Sequence, residues 1–238
     1  MKLSKSAVNS FLKCRREFML SYIDKIKQEP NEYMRRGTEV HEIAERFVQE
    51  FNMDDDFYQQ LLNIYTSMDT EFDLKTHLYH LAHFFEEAFL DKNEIYHVFS
   101  SEEYIHDTEH NFSGLADLVL ENEDGDLIII DYKTSKTNPI KKYLLELTYY
   151  KMLINYKYPD KNVISAGIVF TKDGGMKFTN FCEEQEKGSF VTKKDEQAAI
   201  NLLDFIRKEV EENNLYPEHQ YLCSYCGYQE MCKDMGGI

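Results

Sequence analysis

The chain has 238 residues, 42% of them hydrophobic, with 4 Pro and 10 Gly. That suits one large domain and argues against long disordered or low-complexity stretches. No apolar window nears the ~20 residues of a membrane span and the first residues lack a signal-peptide core, so a soluble, cytoplasmic protein with reduced thiols is expected. A formal charge of −16 speaks against a simple nucleic-acid coat protein.

The charge is uneven along the chain. Residues 1–36 hold nine Lys/Arg against four acids, and residues 133–157 hold six Lys against Glu146 alone. An acidic body with two basic stretches suits a protein that holds a polyanion in one groove; solvated helix faces are the plainer reading. Ser4 is the expected N-cap of a helix over 5–23, and Val40, Ile43, Ala44 and Phe47 recur at helical spacing in a second, over 35–50. Two more helices are expected within 56–90. The period then changes. Residues 94–105, 111–121 and 126–134 read as strands, the last two joined at Asp124-Gly125 into a hairpin. A helix over 140–157, strands over 162–171 and 176–181, a helix over 192–212 and an irregular tail complete the chain. The order predicts a mixed α/β (α+β) fold with a central mixed sheet.

The chemistry gathers on the hairpin. Asp117 and Asp131 lie on adjacent strands, close enough to share a divalent cation if their side chains share a face. Lys133, two residues beyond Asp131, points to the same face, where an ammonium orients water or offsets phosphate charge. A surface ion pair at a strand end is the commoner meaning of such a pair taken alone. Gly114 would let a backbone or ligand approach closely. His41 and Glu45 share one helical face, and Glu103 is a further possible ligand. Cys223, Cys226 and Cys232 form C-x₂-C-x₅-C, with Cys14 distant in the first helix. Four such thiolates suit either zinc or an iron–sulfur cluster, with His219 able to replace Cys14 around zinc. Cys182 reads as an ordinary buried thiol.

Five motifs in order, S-x₄-F-x₂-C-R-R-x-F at Ser6 to Phe18, GTEVHEIAE at 37–45, GLADLV at 114–119, IIIDYKT at 128–134 and the terminal cysteines, resemble the iron–sulfur branch of the PD-(D/E)XK nucleases. The CRISPR-associated exonucleases called Cas four, and the RecB-type and AddB-type nuclease domains, are the similar groups. The resemblance implies a single nuclease domain over 1–238. Residues 1–30 and 213–238 would join as an iron–sulfur subdomain, 35–92 would form a helical segment and 94–212 the nuclease core. It implies that His41, Asp117 and Asp131, helped by the Tyr132 carbonyl, bind Mg²⁺ or Mn²⁺, that Lys133 is catalytic, and that Cys14, Cys223, Cys226 and Cys232 hold a 4Fe–4S cluster. DNA, commonly single-stranded ends, is the implied substrate, with an integrase or helicase as possible partner. One departure stands out. The resembled proteins usually carry Gln-x₃-Tyr on the helix after the lysine; here the positions are Glu146 and Tyr150. A carboxylate at 146 repels phosphate unless it binds metal or pairs with Lys142. With the −16 charge, this motivates the alternative of a non-catalytic DNA-binding or assembly module.

Overall fold

In the computed structural model, which describes residues 1–91, 95–181, 189–217, 223, 224 and 226–236, the apolar run ending in Asp131 lies inside a mixed sheet of seven strands. Strand β1 is Leu3–Ser4, β2 is His97–Asp107, β3 is Phe112–Glu121 and β4 is Leu127–Lys133; β5 (Val163–Phe170), β6 (Gly175–Phe181) and β7 (Ser189–Val191) follow. β2 runs antiparallel along one edge of β3. On the other edge, β1 pairs with Phe112 and Ser113 and β4 with Leu118 to Glu121. β4 then pairs parallel with β5, which leads to β6 and β7.

Helices cover both faces, which is why β4 is apolar at every position before its charged end. α1 (Lys5–Lys13), α6 (Leu144–Lys157) and α7 (Lys193–Glu211) cover one face, burying Ile129 of β4 with Phe11, Leu147, Leu153 and Leu203. α3 (Glu32–Glu50), α4 (Phe57–Thr66) and α5 (Lys75–Leu90) cover the other, burying Ile128 and Ile130 among Phe47, Phe57, Phe85 and Phe89. Each such buried side chain contributes roughly 1.5–3 kcal/mol. The helix starts follow capping chemistry. Ser4 accepts from the Ala7 N–H, Asn31 from the Met34 N–H, and Thr192 and Asp195 form a reciprocal capping box.

Several expected boundaries move. The helix expected over 5–23 breaks at Cys14, whose extended backbone (φ −164°, ψ 120°) separates α1 from α2 (Arg15–Phe18) and a π-turn over Met19–Ile23. Neither Pro nor Gly marks the break, so tertiary packing overrides local propensity there. Asn31 starts α3 earlier than 35. After Pro139 the chain makes one 3₁₀ turn before α6 begins at Leu144. The tail contains a short helix, α8 (Gln229–Asp234). Strands β1 and β7 are too short for a periodic signal. Residue 94, Cys182 and His219 lie outside the described residues. Gly125 at the hairpin turn has φ +81°, as a turn glycine should. Gly114 makes room for a helix: a Cβ there would lie 2.6 Å from Leu153 Cδ1. No described helix is long and apolar enough to cross a membrane.

Candidate active site

The ladder between β3 and β4 runs from the Glu121–Leu127 pair to the Leu118–Ile130 pair and stops. Beyond it Asp117 substitutes for a strand partner, its Oδ2 accepting the Tyr132 N–H at 2.8 Å. The side-chain alternation of β3 slips at this point. Phe112 and Ala116 face the α1–α6–α7 core, whereas Leu118 and Leu120 face the other. On β2 the pairs Ser101–Leu118 and Glu103–Ala116 put Glu102 opposite Asp117. Glu102 adopts φ +47°, a left-handed conformation that costs a side-chain-bearing residue on the order of 1–3 kcal/mol. Both strands are therefore deformed at the same level, and the deformation brings two carboxylates toward α3.

His41 meets them there. Its Nδ1 is 3.4 Å from Asp117 Oδ2 and 3.7 Å from Glu102 Oε1, while Nε2 is 3.1 Å from the Tyr132 carbonyl. A carbonyl only accepts, so Nε2 carries a proton and Nδ1 of the neutral ring keeps its lone pair toward the acids. A metal-ligating histidine is commonly oriented in this way. One donor atom from each of His41, Glu102 and Asp117 lies within 4.8 Å of the other two. One nitrogen and two carboxylate oxygens suit a hard divalent cation. The Tyr132 carbonyl, which the resemblance implied as a metal ligand, accepts a hydrogen bond from His41 Nε2.

Asp131 and Lys133 do lie on one face, but it is the α6 face. Lys133 Nζ is 2.5 Å from Asp131 Oδ2 and 3.0 Å from Glu146 Oε1. Tyr150 donates to Asp131 Oδ1 at 3.1 Å. Lys5, from the first turn of α1, contacts Glu146 and the Tyr150 hydroxyl and lies 3.7 Å from Asp131 Oδ1. Glu146 thus pairs with Lys133 and Lys5. Lys142, one partner considered for Glu146, donates instead to Asn138 at 2.7 Å.

These surroundings set the protonation of the site. Burial, then the nearby Asp131, push Asp117 up to about 7, against the opposing pull of His41 and the Tyr132 N–H. Burial would also raise Asp131, but Lys133 and Lys5 outweigh it and hold that carboxyl below the usual range. Burial opposes the charge on Lys133, and Asp131 and Glu146 overcome it and hold the ammonium protonated well above the ordinary lysine value. Burial likewise works against a charged His41, yet Glu102 and Asp117 raise its pKa.

Glu103 is not part of this group. It faces α6, where it pairs with Lys157 and accepts from Tyr158 at 2.7 Å; its neighbour Glu102 takes the place expected of it. Glu45 accepts from Gln49 at 3.2 Å, away from His41. Cys14, Cys223, Cys226 and Cys232 line one small pocket with Arg16, Leu20 and Tyr228. The chain ends meet around it: Ser21 and Tyr228 hydroxyls are 2.9 Å apart, and Tyr228 donates to the Ile26 carbonyl at 2.5 Å. Sequence reasoning missed Glu102 and Lys5; the only signals were the doubled acid at 102–103 and the basic N-terminus.

Asp117, Asp131 and Lys133 thus sit at the splayed end of one hairpin, beside a helical histidine. The model of the PD-(D/E)XK nuclease superfamily matches residues 2–233, and the chain belongs to that superfamily. No curated protein matches it in sequence.

Proposed function

We propose that the chain is a divalent-metal-dependent deoxyribonuclease that trims single-stranded DNA ends. The observation that carries this reading is the convergence of His41, Glu102 and Asp117 with the Asp131–Lys133 pair where β3 and β4 part. His41, Glu102 and Asp117 would hold Mg²⁺ or Mn²⁺, with the charge of Asp131 close enough on the next strand to raise Asp117. Such an ion, when bound, acidifies a water and withdraws charge from the scissile phosphate. The chain's own groups do the rest. Asp131 fixes Lys133, which stays an ammonium in the free protein and so acts as a donor to developing phosphate charge, not as a base. The Tyr132 carbonyl fixes the His41 tautomer.

The substrate class rests on charge and shape. A groove lined by Asn9, Lys13, Glu17, Tyr22, Lys25 and Lys27 lies along the basic N-terminal stretch, Lys13 paired with Glu17 at 2.7 Å; its surplus of cations beside an aromatic ring is what single-strand binders use. Cys14, Cys223, Cys226 and Cys232 would hold a 4Fe–4S cluster that staples residues 1–30 to 213–238 within one nuclease domain. Their shared pocket supports this, and zinc is the rival occupant. Trimmed ends would serve an integrase or helicase partner.

The test uses anaerobically purified protein with 5′- or 3′-labelled single- and double-stranded DNA in Mn²⁺, Mg²⁺ or EDTA, beside Lys133→Ala. Metal-dependent shortening from one labelled end, lost in the variant, is expected. Binding of DNA without cleavage in any divalent ion would replace the nuclease with the binding-module reading. Iron and acid-labile sulfide in the same preparation are expected; zinc without sulfide would assign the other occupant.

A further inference from the structure

The active-site acids and lysines form a closed ring of alternating charge. Lys133 Nζ lies 2.5 Å from Asp131 and 3.0 Å from Glu146; Glu146 touches Lys5; and Lys5 returns to Asp131 at 3.7 Å. Glu146 is only 8% exposed. A carboxylate so placed requires a partner cation, because burial without one is strongly unfavourable. Among the described residues, the cations within 4.0 Å of it are Lys5 and Lys133. Lys133 cannot serve it alone, since the same nitrogen holds Asp131 at the shorter distance. Lys5 comes from a different part of the fold. It opens α1, its side chain lies over the Tyr150 ring at 4.7 Å from the centroid, and among the described residues the acids within 4.0 Å of it are these two.

We propose that Lys5 is a positioning residue of the nuclease site. It neutralises Glu146, so that Lys133 stays on Asp131 and the region meeting the phosphate is not net negative. This rests on the nuclease reading. Without Lys5, Glu146 draws on Lys133 alone, pulls the ammonium away from Asp131 and presents uncompensated charge to the DNA. With Glu146 neutral, Lys5 has nothing to offset. The role of Lys5 is therefore conditional on the charge at position 146, which a general contribution to folding or direct contact with DNA would not be.

A four-protein comparison tests it: wild type, Lys5→Met, Glu146→Gln and the double variant. Single-turnover cleavage of single-stranded DNA in Mn²⁺ gives the rate, and fluorescence anisotropy in Ca²⁺ gives DNA affinity. Lys5→Met should lower the cleavage rate roughly 10–100-fold, the range for a residue supporting a catalytic group. Adding Glu146→Gln to it should restore the rate to within about threefold of Glu146→Gln alone, a coupling expected of groups in one charge network. Affinity should fall and recover in the same pattern. If Lys5→Met does not fold, comparing the double variant with Glu146→Gln decides the matter by itself. A double variant as impaired as Lys5→Met, or much slower than Glu146→Gln, overturns the proposal while leaving the nuclease intact. Wild-type protein that cuts nothing removes the nuclease reading, and this inference with it.

Discussion

The two halves of the site share the end of one hairpin and differ in charge balance. On the α3 side, His41, Glu102 and Asp117 bring two carboxylates and an imidazole together with no ammonium among them. On the α6 side, Asp131 and Glu146 are matched by Lys133 and Lys5. On the function proposed above, the first half would take a cation from outside; burial and the neighbouring Asp131 raise Asp117 to about 7. The second is neutral by itself and serves to hold one ammonium in place. A site can thus separate the task of binding a cation from that of supplying one. It does so with Asp117, Asp131 and Lys133 of one strand pair, met by side chains from β2, α1, α3 and α6.

The sharpest way to break this comparison is to remove the fixed cation. Lys133→Met should lower single-turnover cleavage by about 10²–10³-fold, the scale for losing one preorganised donor to transition-state charge. Mn²⁺ binding, followed by electron paramagnetic resonance without DNA, should change little. Loss of Mn²⁺ binding in Lys133→Met would show that the halves are not separate.

A second effect concerns what stands behind Lys133. The Thr171 N–H donates to the Lys133 carbonyl at 2.9 Å, and Thr171 Oγ1 is 2.7 Å from His77 Nδ1 on α5. Burial, with Arg36, Lys172 and His80 nearby, lowers His77 from 6.5 to about 4. The unfolded chain therefore binds a proton below about 6.5 that the folded chain refuses until about 4. The His77 contribution to stability should be full above pH 6.5 and be lost, by up to about 3 kcal/mol, as the pH drops from 6.5 to 4, whereas Asp117, raised to about 7, adds stability as the pH falls through that window. In urea unfolding at pH 7, 5.5 and 4.5, the stability of His77→Gln relative to wild type should rise steadily as the pH falls. An unchanged slope would assign the acid sensitivity to other groups.

What could be read from the sequence divides along the same lines. β4 was legible because helices on both faces demand an unbroken apolar run, and its hairpin because Asp124-Gly125 permits the φ of +81° found at Gly125. The shared face of Asp131 and Lys133 followed from their spacing in β4. The break at Cys14 and the pairing of Lys5 with Glu146 did not. Each depends on packing between segments far apart in sequence, 141 residues in the case of Lys5. Helix α8 is only 6 residues long, shorter than the window that reveals a helical period.

The choice between Glu102 and Glu103 is the finest test of the cation-accepting half. Regular alternation from Ile105 puts Glu103 on the α6 face, and there it is, paired with Lys157 and Tyr158. Glu102 reaches the site through its left-handed backbone and the phase slip of β3 at Asp117. Glu102→Gln should weaken Mn²⁺ binding roughly 10–100-fold while leaving the fold intact. Glu103→Gln removes only part of a rim ion pair and should cost no more than about 1 kcal/mol of stability, with Mn²⁺ affinity unchanged. Glu102→Gly separates the two features of that residue: it relieves the left-handed strain, so melting should hold or rise, yet it loses the carboxylate and Mn²⁺ with it. If instead Glu103→Gln weakens Mn²⁺ and Glu102→Gln does not, the strand register places the wrong acid opposite Asp117.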